Sequence, residues 1–173
     1  MSEPRLPTSA PLPNPLPEGG DPPGGDGPGG ASSRRTPPAD GEREQTQAPS
    51  RAWAWLGLQL IETGEGTATV DMTPTEDMAN HSGFVHGGMI SALADSAMGR
   101  SLRTLTPGVT RAMSFDLKLN FINAAKIGET LRATGHVIHA GHRTMVTECR
   151  VEGKEGRLVA TASATFAVTR EKE

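Results

Sequence analysis

The sequence predicts an α+β fold in which one antiparallel sheet curls around a single long helix. Only one segment, residues 88–105, carries helical periodicity, whereas six segments alternate apolar with polar residues as strands do. The order is two strands, the helix and then four strands, which differs from the βαβ alternation of a nucleotide-binding fold.

Residues 1–50 are predicted to be a flexible tail, and residues 51–173 one domain of ordinary size. The tail holds most of the 14 prolines, in runs such as Pro22-Pro23-Gly24-Gly25, and it contains no aromatic residue. Such a stretch buries too little apolar surface to offset the entropy lost on ordering. Its proline segments could bind a partner as polyproline II, although most tails of this kind are linkers.

The predicted helix follows a predicted hairpin. Two alternating segments, residues 58–60 and 68–72, are joined by a glycine-containing turn at residues 63–66. In the helix, the residues of one stripe recur at spacings of three and four: Ile90, Leu93, Ala94, Ala97, Met98 and Ser101. Pro107-Gly108 ends this pattern.

Four further strands are predicted after the helix, each from alternating side chains. The alternating sets are Met113, Phe115, Leu117, Leu119 and Phe121; Leu131, Ala133, Gly135 and Val137; Met145, Thr147, Cys149 and Val151; and Leu158, Ala160, Ala162, Ala164, Phe166 and Val168. Strands with one apolar face suit a sheet whose outer face meets water or a partner subunit.

The folded part of the chain is predicted to carry no net charge. The formal net charge is −3, and residues 1–50 account for it with four Lys/Arg and seven Asp/Glu. A neutral domain in a chain with 3% aromatic residues lacks a basic stripe and a stacking platform, which argues against nucleic acid as a partner. No run reaches the roughly 18 apolar residues of a membrane span. The single Cys149 and the lack of a signal-peptide pattern make the cytoplasm the expected compartment.

The entry to the helix, His86-Gly87-Gly88, is the first candidate for chemistry. The first N–H groups of a helix have no internal partner, and the helix dipole adds partial positive charge there. Glycines allow a ligand to approach the backbone closely. The geometry suits an oxyanion hole for acyl transfer, although a glycine pair alone is more often only a turn.

Asp95 is the second candidate. At 100° per residue it lies at the edge of the apolar stripe, on the side of Gly88, Ser91 and Gly99. An acid flanked by apolar and small residues is not expected to be an ordinary solvated carboxylate, and the alternative is an exposed acid paired with Arg100 or Arg103. Gly88 and Asp95 are nevertheless about 10.5 Å apart along the helix, too far for one carbonyl to touch both. A two-fold dimer would bring Asp95 of one chain to Gly87 of the other, so we predict a homodimer with shared sites.

These residues also carry a resemblance to a known family. The segment Asn80-His81-Ser82-Gly83-Phe84-Val85-His86-Gly87-Gly88, continued by Leu93-Ala94-Asp95, resembles the PaaI-type branch of the hotdog-fold thioesterases. The likeness extends over about residues 53–168 and includes the turn at residues 123–129, where the family often has Pro in place of Ala124.

The resemblance implies a role for each site residue. Gly87 N–H would donate to the thioester oxygen, with Asn80 and His86 positioning the thioester or ordering their loop. Asp95 of the neighbouring subunit would act as nucleophile or as general base on water, and Ser114 would help to place that water. A thioester is an activated acyl donor, so a carboxylate and an oxyanion hole can suffice without a catalytic triad.

Several other residues are candidates for substrate binding. Gly88 belongs to the helix entry, and Lys126 and the pair His142-Arg143 could contact CoA phosphates, although solvated turn charges are the more common case. Trp53 and Trp55 could cover the acyl group or anchor the core. A metal is not expected, because His136, His139 and His142 would not converge along one strand and the turn after it.

The predicted function is hydrolysis of an acyl-CoA or aroyl-CoA thioester, with no cofactor beyond the CoA of the substrate. The main alternative is a non-catalytic acyl-CoA-binding hotdog protein, against which the retained Asp95 speaks. A hotdog dehydratase is a weaker alternative, because the spacing of its acid–base pair is missing. Assembly as a dimer, or as a tetramer made of two dimers, is left open.

Overall fold

The computed structural model describes residues 50–105 and 109–170, which belong to one compact unit. The predicted tail, apart from Ser50, and the predicted stop at Pro107-Gly108 lie outside the described residues. The elements are helices α1 (Arg51–Trp55) and α2 (Gly87–Arg103) and strands β1 (Gln59–Gly64), β2 (Thr67–Met72), β3 (Val109–Phe121), β4 (Leu131–Ala140), β5 (Thr144–Glu152) and β6 (Leu158–Arg170). Short 3-10 turns lie at Glu76–Met78 and Lys154–Gly156.

The six strands form one antiparallel sheet in the order β1-β2-β4-β5-β6-β3. Helix α2 packs against strands β2 to β6, and its buried residues are the predicted stripe together with Leu102. The α+β prediction is therefore confirmed. Among the described residues, no helix combines the length and the apolar character needed to cross a membrane.

Helix α2 lies close to the sheet at Gly135 of β4. A Cβ atom at Gly135 would lie 2.7 Å from the Ala97 carbonyl oxygen and 2.9 Å from the Met98 nitrogen, both on the helix backbone. Only glycine permits this approach, because backbone atoms cannot move aside as a flexible side chain can. The contact fixes the height of the helix above the sheet.

Strand β3 is one free edge of the sheet, and a β-bulge interrupts it. The register with β6 shifts between Ser114 and Asp116. Ser114 pairs with the buried Phe166, and after the bulge Leu117 pairs with the buried Ala164. Paired residues share a face of the sheet, so Ser114 and Leu117 both lie on the face that carries the helix.

The alternation in this strand therefore does not produce one apolar face, which corrects the expectation for residues 113–121. Met113 lies on the outer face, opposite the exposed Ala167. The strand exposes apolar side chains over most of its length: Met113, Phe115, Leu117 and Phe121 are 63%, 65%, 39% and 56% exposed. An edge strand with this much exposed apolar surface is poorly suited to contact with water alone.

Candidate active site

The start of α2 presents one backbone donor. His86 caps the helix, and its Nδ1 accepts a hydrogen bond of 2.9 Å from Gly88 N–H. Because Nδ1 is used as an acceptor, Nε2 is the ring nitrogen that can donate a hydrogen bond. Within the described parts of the chain, no acceptor is found for Gly87 N–H, whereas Met89 N–H donates to the His86 carbonyl. The predicted donor Gly87 thus points out of the helix without a partner, and Gly88 N–H is already used.

Asn80 organises the loop before the helix. Its Oδ1 accepts from Ser82 N–H at 2.9 Å and from Phe84 N–H at 3.2 Å, and its own N–H donates to the Phe84 carbonyl. Gly83 completes the turn at φ +77°, a conformation that favours glycine. The side-chain oxygen of Asn80 therefore orders the loop, which leaves its amide NH2 as the group that could face a ligand.

The ring of Phe121 lies over Gly87, a contact that the sequence did not predict. A Cβ atom at Gly87 would be 3.0 Å from the Phe121 ring, so any larger residue at this position would push the ring away. The last residue of β3 thereby forms a wall beside the unpaired donor. The contact depends on how far β3 runs alongside α2, which no local sequence signal specifies.

Asp95 lies about two turns into α2, on the flank that faces β6. Four residues on, Gly99 is the helix residue beside Phe166 of β6, and residues four apart lie on the same face. The Asp95 Oδ1 atom is buried, and it has no hydrogen-bond partner among the described residues. A buried carboxylate oxygen without a partner is costly unless another group or a water completes its contacts.

Ser114 lies on the helix side of the sheet, in the strand next to β6. It is paired with Phe166, which packs beside Gly99, one helical turn beyond the acid. The β-bulge is responsible, because it places Ser114 on the helix side of the sheet. The structure thus groups Asn80, His86 and Gly87 at the helix entry, and it places Ser114 beside Phe166, the residue that Gly99 of α2 contacts.

The predicted phosphate contacts do not lie together within one chain. Lys126 lies beside the helix entry, where its backbone forms an isolated antiparallel β-bridge with Phe84. His142 and Arg143 lie in the turn between β4 and β5, and β4 separates the two ends by ten residues, or roughly 30 Å. Within the described residues, no three His, Cys, Asp or Glu side chains are grouped so that they could hold a metal ion.

Trp53 and Trp55 take different positions. Trp53 packs on the core, and the Arg100 guanidinium lies 5.3 Å from its ring centroid. Arg100 is five residues after Asp95, so the two side chains leave the helix about 140° apart. Trp53 therefore packs on the side of α2 that points away from Asp95. Trp55 is 62% exposed and does not belong to the core.

A second feature that the sequence did not predict is an ion pair behind the helix entry. Arg157 Nη2 lies 2.7 and 2.9 Å from the two carboxylate oxygens of Glu129. Glu129 also accepts from the Lys154 and Lys126 N–H groups, at 2.8 and 3.2 Å. These hydrogen bonds, the one from Lys154 foremost, hold the Glu129 pKa below its usual value. The sequence predicts only a turn at residues 123–129.

The sequence is similar to a family of thioester hydrolases. Residues 82–160 match the model of the thioesterase superfamily. The acyl-coenzyme A thioesterase PaaI of Escherichia coli K12 is 32% identical over 105 residues, which cover 61% of this chain and 73% of PaaI. Human acyl-coenzyme A thioesterase 13 is 27% identical over 109 residues, which cover 62% of this chain and 77% of that protein.

Solved structures agree with this similarity. The E. coli PaaI structure superposes with a TM-score of 0.67 at 26% identity and covers 75% of this chain and 91% of its own. A Streptococcus mutans protein solved with acetyl-CoA superposes with a TM-score of 0.62 at 27% identity and covers 67% of this chain and 91% of its own. The protein is thus a thioester hydrolase of the hotdog fold. Within that class, the chain belongs to the PaaI-type thioesterases, as the resemblance predicted.

Proposed function

We propose that this protein hydrolyses acyl-CoA or aroyl-CoA thioesters, with Asp95 and the N-terminus of α2 as the two halves of the catalytic site. The observation that carries the proposal is the buried Oδ1 of Asp95, which has no hydrogen-bond partner among the described residues and lies on the flank of α2 that faces β6. Relatives named acyl-coenzyme A thioesterase and a similar structure solved with acetyl-CoA support the substrate class. The cytoplasm is the compartment that we expect for this reaction.

In this mechanism, Gly87 N–H donates to the thioester carbonyl oxygen as negative charge develops on it. Removal of one such donor typically lowers kcat about 100- to 1000-fold. His86 keeps the helix entry in place by accepting from Gly88 N–H, and Asn80 orders the preceding loop. The amide NH2 of Asn80 is the further donor that we assign to the thioester.

Asp95 acts by one of two routes. As a general base, it takes a proton from a water that Ser114 helps to place; the hydroxide adds to the carbonyl carbon, and the C–S bond breaks to release the CoA thiolate. As a nucleophile, it attacks the carbonyl carbon itself, the C–S bond breaks to release the CoA thiolate, and water hydrolyses the resulting mixed anhydride to free acid and Asp95. Both routes yield the free acid and CoA, and neither needs a metal or a separate cofactor.

The two halves of the site come from different subunits. Gly87 and Asp95 are eight residues apart on one helix, or about 12 Å along its axis. The exposed apolar side chains of β3 make this edge the surface for a second copy. Two-fold pairing of β3 strands reverses one chain against the other, so the helix entry of one subunit approaches Asp95 of its partner. A tetramer would repeat this dimer.

The same reversal accounts for the separated basic residues. Lys126 of one subunit and His142 and Arg143 of the other would lie near the same end of the paired sheets. We assign these side chains to the phosphates of CoA, because Lys and Arg suit phosphate groups. Gly88 contributes close backbone access beside Gly87.

The test is release of free thiol from a panel of CoA thioesters. We expect turnover by the wild type and a loss of at least about 100-fold in kcat for Asp95→Asn and Asp95→Ala. The matched control is Glu148→Gln, which changes an exposed acid on the outer face of the sheet. Binding of CoA thioesters without turnover would favour the non-catalytic alternative, and equal turnover by both Asp95 variants and wild type would refute the mechanism.

A further inference from the structure

Glu129 and Arg157 tie together two connections at the end of the sheet where α2 begins. Glu129 belongs to the β3–β4 connection and Arg157 to the β5–β6 connection. Each side chain also forms a hydrogen bond with the backbone of the other residue's connection. Arg157 Nη1 donates to the Ala124 carbonyl at 2.8 Å, and Glu129 accepts from Lys154 N–H at 2.8 Å. The Glu129 side chain is 13% exposed, so solvent competes little with these contacts.

The β3–β4 connection in turn holds the loop that leads into the site. Val85 N–H donates to the Ala125 carbonyl at 2.9 Å, and Phe84 bridges to Lys126. His86, the cap of α2, follows Val85 directly. Hydrogen bonds thus connect the Glu129–Arg157 pair, through residues 124–125, to Val85, the residue before the helix cap His86.

Gly153 shows how closely Glu129 is held. A Cβ atom at Gly153 would overlap the Glu129 Oε1 atom, and it would be 3.0 Å from Arg157 Nη2. The backbone of Gly153, at φ −100° and ψ −157°, is one that alanine can adopt. Gly153→Ala therefore displaces the Glu129 carboxylate without removing its charge.

We propose that Glu129 is a positioning residue for the helix-entry site, acting with Arg157 through residues 124–126 on the loop that carries His86 and Gly87. It touches no reacting atom. Its role is to hold the Gly87 N–H at the position where the thioester oxygen becomes negative. This role rests on the function proposed above. An oxyanion donor that is misplaced by a fraction of an ångström loses transition-state stabilisation more than substrate binding.

The variants that test this are Glu129→Gln and Gly153→Ala, compared with Asp71→Asn. Asp71 is a suitable control because it accepts two hydrogen bonds of 2.8 Å from Arg132 and is also 13% exposed. It joins β2 to β4 at the same end of the sheet without bonding to residues 124–126. We expect both test variants to lower kcat about tenfold with KM within about twofold of wild type, and Asp71→Asn to change neither.

Amide hydrogen exchange separates this proposal from the proposed function. Exchange at residues 84–88 should rise in Glu129→Gln and Gly153→Ala but not in Asp71→Asn, while β5 stays protected in all three. If the wild type has no thioesterase activity, the proposed function fails and the exchange result still tests the positioning role. Unchanged exchange at residues 84–88 in both test variants, or equal losses of kcat in the control, would overturn it.

Discussion

At the scale of single residues, the two halves of the site were predictable to different extents. Asp95 could be found by counting along a helix, because 100° per residue places it on the edge of the apolar stripe. The hydrogen bond from Gly88 N–H to the His86 Nδ1 atom could not be predicted from the sequence, because it depends on a side-chain rotamer. The contacts of Phe121 with Gly87 and of Arg157 with Glu129 join residues about 30 positions apart, and only the tertiary structure specifies them.

Cys149 provides a test of the core. Burial on the helix side of β5 raises its pKa to about 12, so the native thiol stays protonated at neutral pH and is a poor nucleophile. We expect no reaction of the folded protein with a thiol-specific reagent at pH 8, and one reactive thiol after unfolding. Labelling of the native protein at the rate of a free thiol would contradict the burial of this strand.

Glu129 gives a prediction for pH. Because its folded-state pKa is lowered, its stabilising contribution is fully present above the unfolded-state pKa and is lost as the pH falls through the folded-state value. The groups around it are the Arg157 guanidinium and the backbone N–H groups of Lys126 and Lys154. The difference in free energy of unfolding between wild type and Glu129→Gln should be constant at neutral pH and shrink below about pH 4. A difference that persists unchanged to lower pH would refute the ionised pair.

At the scale of elements, the helix and the strands followed from periodicity, but their irregularities did not. The predicted helix, residues 88–105, lies within two residues of α2, and β3 begins four residues before its predicted alternation. The bulge at residues 114–116 leaves no mark on the sequence pattern, yet it decides that Ser114 faces the helix. Pairing with β6, not local preference, sets the register there.

The close approach of α2 to β4 predicts that substitution of Gly135 strongly destabilises the fold. Gly135→Ala would force its Cβ against the backbone of Ala97 and Met98, so we expect a loss of about 2–4 kcal/mol in the free energy of unfolding, measured by denaturant titration. The neighbouring Thr134→Ala is the control. It lies on the outer face with one 3.4 Å hydrogen bond to Thr69, and we expect a loss below about 1 kcal/mol. Equal losses in the two variants would mean that the helix does not approach β4 this closely.

At the scale of the whole molecule, the exposed edge of β3 predicts association. Phe115→Lys places a charge on this edge, where Phe115 is 65% exposed, and we expect it to shift a dimer toward monomer and to lower thioesterase activity in parallel. Ile138→Lys is the control, since Ile138 is 58% exposed on β4, away from that edge. Sedimentation of both variants checks the prediction, and a Phe115→Lys protein that remains dimeric would exclude β3 as the interface.

The sharing of the site between subunits is the central claim, and mixing two inactive variants tests it most directly. Asp95→Ala removes the carboxylate. Gly87→Pro removes the donor at a first helical position, which proline tolerates after the extended His86, and it also displaces the Phe121 ring of the same chain. After complete subunit exchange of equal amounts, half of the dimers are mixed and each holds one intact site. We therefore predict recovery of about a quarter of wild-type activity. No recovery after verified exchange would contradict the account.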